Sequence, residues 1–255
     1  PGKIGVVWRG TWHGGLEFTR KCCAPIAIPI GTQGLHAVGA AMAAQRLGED
    51  SVTVAYLGDG ATSTGDAHEA LNVASVFAAP CIFFVQNNHW AISVPVGRQQ
   101  AGPSIAHHAI GYGIPGIRVD GNDPLACYAV MAEAAERARA GAGPTLIEAI
   151  TYRMGPHTTS DDPTRYRSQA EVDHWAALDP IPRYRNYLRH AGVWSERLDE
   201  RVSARSARMR TELRTAIVEA EDIDVTEMFD TTYADITSDL AEQRQQLLSE
   251  LAKEA

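Results

Sequence analysis

The chain has 255 residues, is 45% hydrophobic, and carries a formal charge of -8 with a pI near 5.6. It holds enough apolar sequence for a sizeable core, while its acidic balance excludes a nucleic-acid surface, which needs clustered Lys and Arg. No apolar run reaches the ~18 residues of a membrane span, and no basic-then-apolar leader opens the chain. The expectation is a cytoplasmic protein with no membrane partner. None of the four cysteines, Cys22, Cys23, Cys81 and Cys127, has CxxC spacing, so they read as reduced thiols rather than zinc ligands.

In chain order, His36 to Leu47 is a helix crowded with small residues and closed by Gly48. "DSVTVAYLG" is a short β-branched run bounded by turn residues, as a strand buried on both faces should be. Asp66 to Ala79 follows with helical spacing, Ser63 or Thr64 available as cap and Pro80 as stop. "APCIFFVQNN" completes a strand–helix–strand unit. "GIRVD" (Gly116 to Asp120), a helix from Pro124 to Ala140 ending at Gly141, and "PTLIEAI" (Pro144 to Ile150) repeat the alternation. The fold class is therefore α/β: a doubly wound, mostly parallel sheet with helices on both faces. After about Ser168 the sequence turns charged and helix-forming, and "SERLDERVSARSARMRTELRTAIVEAE" reads as a long amphipathic helix. Residues 1–190 are expected to form the α/β domain, with a further N-terminal part upstream because Pro1 rather than Met opens the chain. Residues 191–255 are expected to form a helical extension.

In an open parallel sheet, ligands sit beyond the carboxyl ends of the strands. Asp59 and Asn88 should fall there, on neighbouring tips. One carboxylate, one amide oxygen and a diphosphate suit a magnesium ion, which prefers oxygen ligands and keeps phosphate or water among them. Gly58 and Gly60 would let the backbone approach the phosphates, and the following helix start offers free N–H groups. Taken singly, GDG and NN are ordinary turn chemistry. A nucleotide-binding or phosphotransfer protein would use Asp59 similarly, but the GxxxxGK[ST] loop it needs is absent from the sequence.

The span from Gly58 to Asn88, with 26 residues from Ala61 to Gln86 between GDG and NN, resembles the thiamine diphosphate signature. "IGTQGLHAVGAAMAA", "GDGATSTGDAHEALN", "FFVQNNHWAISVP", "GYGIPGIRVDGNDPLACYAV", "GPTLIEAITYRMGPHTTSDDPTRYRS" and "DPIPRYRNYL" resemble, in family order, the alpha subunit of the 2-oxo acid dehydrogenase complexes, their thiamine-dependent decarboxylating component. They cover most of Pro25 to Leu188. The resemblance implies Asp59, Asn88 and the Trp90 carbonyl as magnesium ligands, and Gly58, Gly60 and Ala61 along the diphosphate. It implies cofactor contacts from Ile28 and Ile30, the active-site histidine at His157, and Arg153 ordering that loop or meeting phosphate. An imidazole can hold a substrate carboxylate or pass a proton near working pH.

By the same resemblance the cofactors are thiamine diphosphate and Mg2+. The reaction is oxidative decarboxylation of a 2-oxo acid, the loop leaning to branched-chain acids with pyruvate second, and the acyl group passes to a lipoyl-bearing acyltransferase. A beta subunit supplies the glutamate that activates the cofactor, so the implied assembly is a heterotetramer of two alpha and two beta chains. The alternative is an inactive alpha-type fragment acting as a scaffold for the beta subunit. The family's tyrosine–arginine pair that grips the diphosphate has no counterpart before Pro1, and Thr158 stands where some relatives carry a regulatory serine.

Overall fold

Five strands pair in parallel in the order β1-β2-β3-β7-β6: β1 (Ile4–Arg9), β2 (Val52–Gly58), β3 (Cys81–Asn87), β6 (Gly116–Asp120) and β7 (Thr145–Ile150). The computed structural model describes residues 4–9, 29–220 and 224–254. A small antiparallel hairpin, β4 (Trp90–Ala91) with β5 (Val94–Pro95), follows β3 directly.

The apolar runs of the strands are continuous because both faces are covered. Ala55 and Leu57, Phe83 and Val85, and Leu146 point into one core cluster. Helices α1 (Thr32–Leu47) and α2 (Gly65–Val76) supply its other wall through Ala37, Ala41, Ala70 and Ala74. Val52, Val54, Ile82, Phe84 and Ile147 point the opposite way, against Ala134, Ala135 and Ala138 of α5 (Pro124–Arg139). Full burial of side chains of this size stabilises by ~1.5–3 kcal/mol each. Alanine-rich helix faces let the helices lie close to the sheet. The helix from β2 to β3 lies on one face and the helix from β6 to β7 on the other, as right-handed crossovers running in opposite directions require. The fold is thus the doubly wound α/β sheet expected.

Helix α1 begins at Thr32, four residues ahead of the expected His36. Gly31 sets the start: its φ is +93°, and a Cβ there would lie 2.2 Å from the Thr64 hydroxyl, so only glycine fits. The polar Gln33 is buried and donates to the Tyr56 carbonyl at 3.0 Å, tying α1 to β2. Thr64 caps α2 by accepting from the Ala67 N–H at 3.3 Å.

Between the hairpin and β6 lie the short helices α3 (Val96–Gln99) and α4 (His108–Gly111), with a 3-10 turn at Ile105–His107. After β7 come α6 (Gln169–Ala176) and α7 (Pro180–His190). The chain forms two compact units, Pro1–Gly192 and Val193–Ala255. The second holds α8 (Glu196–Val218), α9 (Glu227–Asp230) and α10 (Ser238–Glu254), with Arg244 of α10 paired to Asp230 of α9 at 3.1 Å. Among the described residues no helix is long and apolar enough to cross a membrane.

Candidate active site at the strand tips

The β2–β3 register puts Gly58 opposite Gln86, so Asp59, just past the end of β2, follows at the level of Asn87, the last residue of β3, with Asn88 one residue further on; paired strands run ~4.8 Å apart. Asp59 is only 1% exposed. Its carboxylate accepts a hydrogen bond from the Gln99 side-chain amide at 2.7 Å, and that amide also donates to the Val94 carbonyl at 3.1 Å. Asp59 has no ion-pair partner among the described residues. A buried carboxylate without a cation is costly, and a neutral amide offsets only part of that.

Gly60 lies beneath the hairpin: a Cβ there would come 2.8 Å from the Ala91 Cβ. This close approach brings the GDG turn against the segment that carries Trp90. Ala61 is buried and is the second residue of a 3-10 turn, Gly60–Ser63, whose first N–H groups have no acceptor within the turn. Gly58 is exposed. Ile30 is 60% exposed on the loop beside Gly31 and Thr64, at the same end of the sheet. Ile28 lies outside the described residues.

The exit from β3 is tightly held. Asn88 is half-buried and its side-chain oxygen accepts from the Trp90 N–H at 3.1 Å. His89 (φ 72°) and Ile92 (φ 56°) are both left-handed, a conformation uncommon for residues with a Cβ and rarest for β-branched ones. Arg153 holds the turn from above: it donates to the Trp90 carbonyl at 3.1 Å, to the Ile92 carbonyl at 2.6 Å and to the Tyr166 hydroxyl at 2.7 Å. His89 turns away, its Nδ1–H donating to the Thr151 carbonyl at 2.7 Å and its ring 5.1 Å from that of Trp175.

His157 is exposed on the loop after β7. Its backbone N–H donates to Asp161 at 2.7 Å, and Tyr166 donates to the same oxygen at 2.6 Å. These two bonds, the His157 one first, hold the Asp161 carboxyl below its usual range. Arg167 adds bonds to the carbonyls of Arg153, Met154 and Gly155. The loop carrying His157 is therefore tied, through Tyr166 and Arg153, to the hairpin beside Asn88.

These residues fit a magnesium ion and a diphosphate in part. The donor set is one carboxylate, one amide oxygen and one carbonyl; among the described residues no three His, Cys, Asp or Glu side chains gather as a ready-made metal cage. A cation that keeps phosphate and water ligands needs no more from the protein. The fit is closest at Asp59, a buried carboxyl with no ion-pair partner among the described residues. It is weakest at the Trp90 carbonyl, one of whose two lone pairs already takes the Arg153 guanidinium.

Sequence reasoning missed three residues. Gln99 carries no motif and reads as one polar residue in "RQQ". Asn87 and Glu148 bond to each other at 2.7 Å; a single acid inside the apolar strand "PTLIEAI" was a legible sign that something must meet it. Near Glu148, His108 has its imidazole pushed below the ordinary value, chiefly by burial, with His68 adding to the shift and Glu148 opposing it. A cavity of about 310 Å3 lined by Ser104, His107 and Arg118 lies beside the edge strand β6, away from the carboxyl ends.

The model of one family, the Dehydrogenase E1 component, matches residues 10–228. The chain belongs to that family. It is 73% identical over 253 residues to the 3-methyl-2-oxobutanoate dehydrogenase subunit alpha of Mycobacterium tuberculosis, covering 99% of this chain and 69% of that protein. It is 45% identical over 220 residues to the pyruvate dehydrogenase E1 component subunit alpha of Staphylococcus epidermidis, covering 85% of this chain and 59% of that protein. The Staphylococcus aureus counterpart is 44% identical over the same length. The match spans 69% of the length of the mycobacterial protein and 59% of the length of the two staphylococcal ones.

Proposed function

We propose that the chain is the alpha subunit of an enzyme that oxidatively decarboxylates a 2-oxo acid and hands the acyl group to a lipoyl-bearing acyltransferase. It works with a beta-type chain in an assembly of two alpha and two beta subunits. Branched-chain 2-oxo acids are the favoured substrates, in line with the relative at 73% identity, and pyruvate is second. The observation that carries the reading is Asp59: a fully buried acid on a strand tip, beside the paired asparagines, with no cation to meet it among the described residues.

Asp59, Asn88 and the second lone pair of the Trp90 carbonyl would hold Mg2+, with Gly58, Gly60 and Ala61 lining the diphosphate and Ile28 and Ile30 flanking the cofactor. When bound, thiamine diphosphate supplies an electron sink for the carbon that loses carbon dioxide. Arg153 steadies the turn that presents Asn88 through its bonds to the Trp90 and Ile92 carbonyls, and its positive charge would share a phosphate oxygen. His157, on a loop tethered by Asp161 and Tyr166, holds the substrate carboxylate or passes a proton as the acyl group leaves. No group of this chain is assigned to activate the cofactor; that falls to the partner.

The test is reconstitution with a beta-type chain. Calorimetry should register binding of thiamine diphosphate with Mg2+, and Asp59→Ala should weaken it by more than the roughly 10–100-fold that loss of a supporting partner costs. Catalytic efficiency on 2-oxoisovalerate should exceed that on pyruvate. A reconstituted pair that takes up no cofactor, with or without Asp59, would leave the scaffold reading in its place.

A further inference from the structure

Glu148 is 1% exposed in the middle of β7, and nothing in the proposed chemistry uses it. It forms no ion pair with Lys or Arg among the described residues. Two N–H donors meet its two oxygens instead: the Asn87 side-chain amide at 2.7 Å and the Ala106 backbone N–H at 2.9 Å. A buried carboxylate satisfied in this way forms short, charge-assisted hydrogen bonds, about twice as strong as neutral ones.

The consequence lies on the far side of Asn87. With its N–H2 committed to Glu148, the Asn87 amide can present only its oxygen to the chain ahead, and that oxygen accepts from the His89 N–H at 3.0 Å. This bond spans Asn88. It fixes the backbone as it enters the left-handed residue His89, and so sets the direction of the Asn88 side chain and the Trp90 carbonyl. We propose that Glu148 is a positioning residue for the divalent cation: through Asn87 it holds the left-handed β3 exit in the geometry that presents Asn88 and the Trp90 carbonyl. The inference rests on the proposed function, because it takes those residues as the cation's ligands.

The arrangement is a matter of polarity, which makes it testable by reversal. Glu148→Gln leaves one acceptor for two donors and weakens the grip on Asn87. Adding Asn87→Asp restores the pattern in reverse. The new amide at position 148 can accept from Ala106 and donate to position 87, whose new carboxylate still accepts from His89. Mn2+ binding is read by electron paramagnetic resonance, with saturating thiamine diphosphate, in the chain assembled with its beta-type partner, alongside thermal unfolding.

Glu148→Gln should weaken Mn2+ binding on the order of 10- to 100-fold, as removal of a group that orients a metal ligand does, at temperatures where the fold is intact. The double variant should bind at least as tightly as the wild type. Equal affinity in Glu148→Gln with only a lower melting temperature overturns the inference and leaves Glu148 a structural acid. A double variant that folds but stays as weak as the single one overturns it too, as does a double variant that fails to fold. If Glu148→Gln alone fails to fold, the double variant decides by the same criteria. A wild-type assembly that binds no Mn2+ overturns the proposed function, and the inference falls with it.

Discussion

Asp161 shows how one half-buried side chain can order the loop that carries His157. Its carboxylate collects the His157 backbone N–H and the Tyr166 hydroxyl, and Tyr166 in turn meets Arg153. Both bonds favour the charged form, so the folded carboxyl titrates lower than it would in an unfolded chain. Loop order linked to a lowered pKa is complete above the ordinary carboxylate value and is lost as the pH falls through the lowered one. The His157 amide resonance should therefore be steady from neutral pH down to the ordinary Asp range and shift only with a midpoint below 3.8. Asp161→Asn, which keeps an acceptor but removes the charge, should abolish that titration and loosen the loop. A midpoint at or above the usual value, or an unchanged profile in Asp161→Asn, would remove this account of how His157 is held.

At the scale of elements, the GDG turn and the hairpin β4–β5 act as a pair, pressed together where Gly60 faces Ala91. Gly60→Ala should force them apart, since the added Cβ would come 2.8 Å from the Ala91 Cβ, well inside van der Waals contact. Overpacking of this kind costs about 1–3 kcal/mol. Because the displaced segment carries the Trp90 carbonyl, the divalent affinity proposed for this site should fall with stability. Ala91→Gly in the same chain should recover most of both, and failure of that pairing would mean the two elements are not coupled there. The hairpin itself was not legible in advance: four residues in two short bridges leave no periodicity to read. The strands β2, β3 and β7 and helices α2 and α5 were legible, because burial on both sheet faces writes itself as unbroken apolar runs between caps and glycines. The same logic placed Asp59 and Asn88 on neighbouring tips. It could not find Gln99, whose hydrogen bond to Asp59 joins residues 40 positions apart. Helix α1 was found but started late, since "GTQG" reads as turn chemistry until the Gln33 amide is seen reaching β2.

For the whole molecule, the two core clusters lie entirely within residues 37–149, inside the unit that ends at Gly192. The second unit instead leaves large apolar side chains in solvent, Met209, Leu213, Ile217 and Val218 of α8 each more than 60% exposed. Among the described residues the buried clusters that cover the sheet are drawn from the first unit, and a chain ending at Gly192 should keep its sheet. Cys81 offers the readout. It opens β3 under full burial, which pushes its thiol up to about 12, with a hydrogen bond involving Thr53 opposing the shift. Only a thiolate reacts readily with an alkylating reagent, so Cys81 should be silent at neutral pH until β3 separates from its neighbours. In the shortened chain, mass spectrometry of the alkylated Cys81 peptide should find it as protected as in the full chain, becoming labelled in the same cooperative step on adding denaturant. Prompt labelling without denaturant would mean that the sheet depends on residues 193–255, and that the helical extension is part of the core rather than an addition to it.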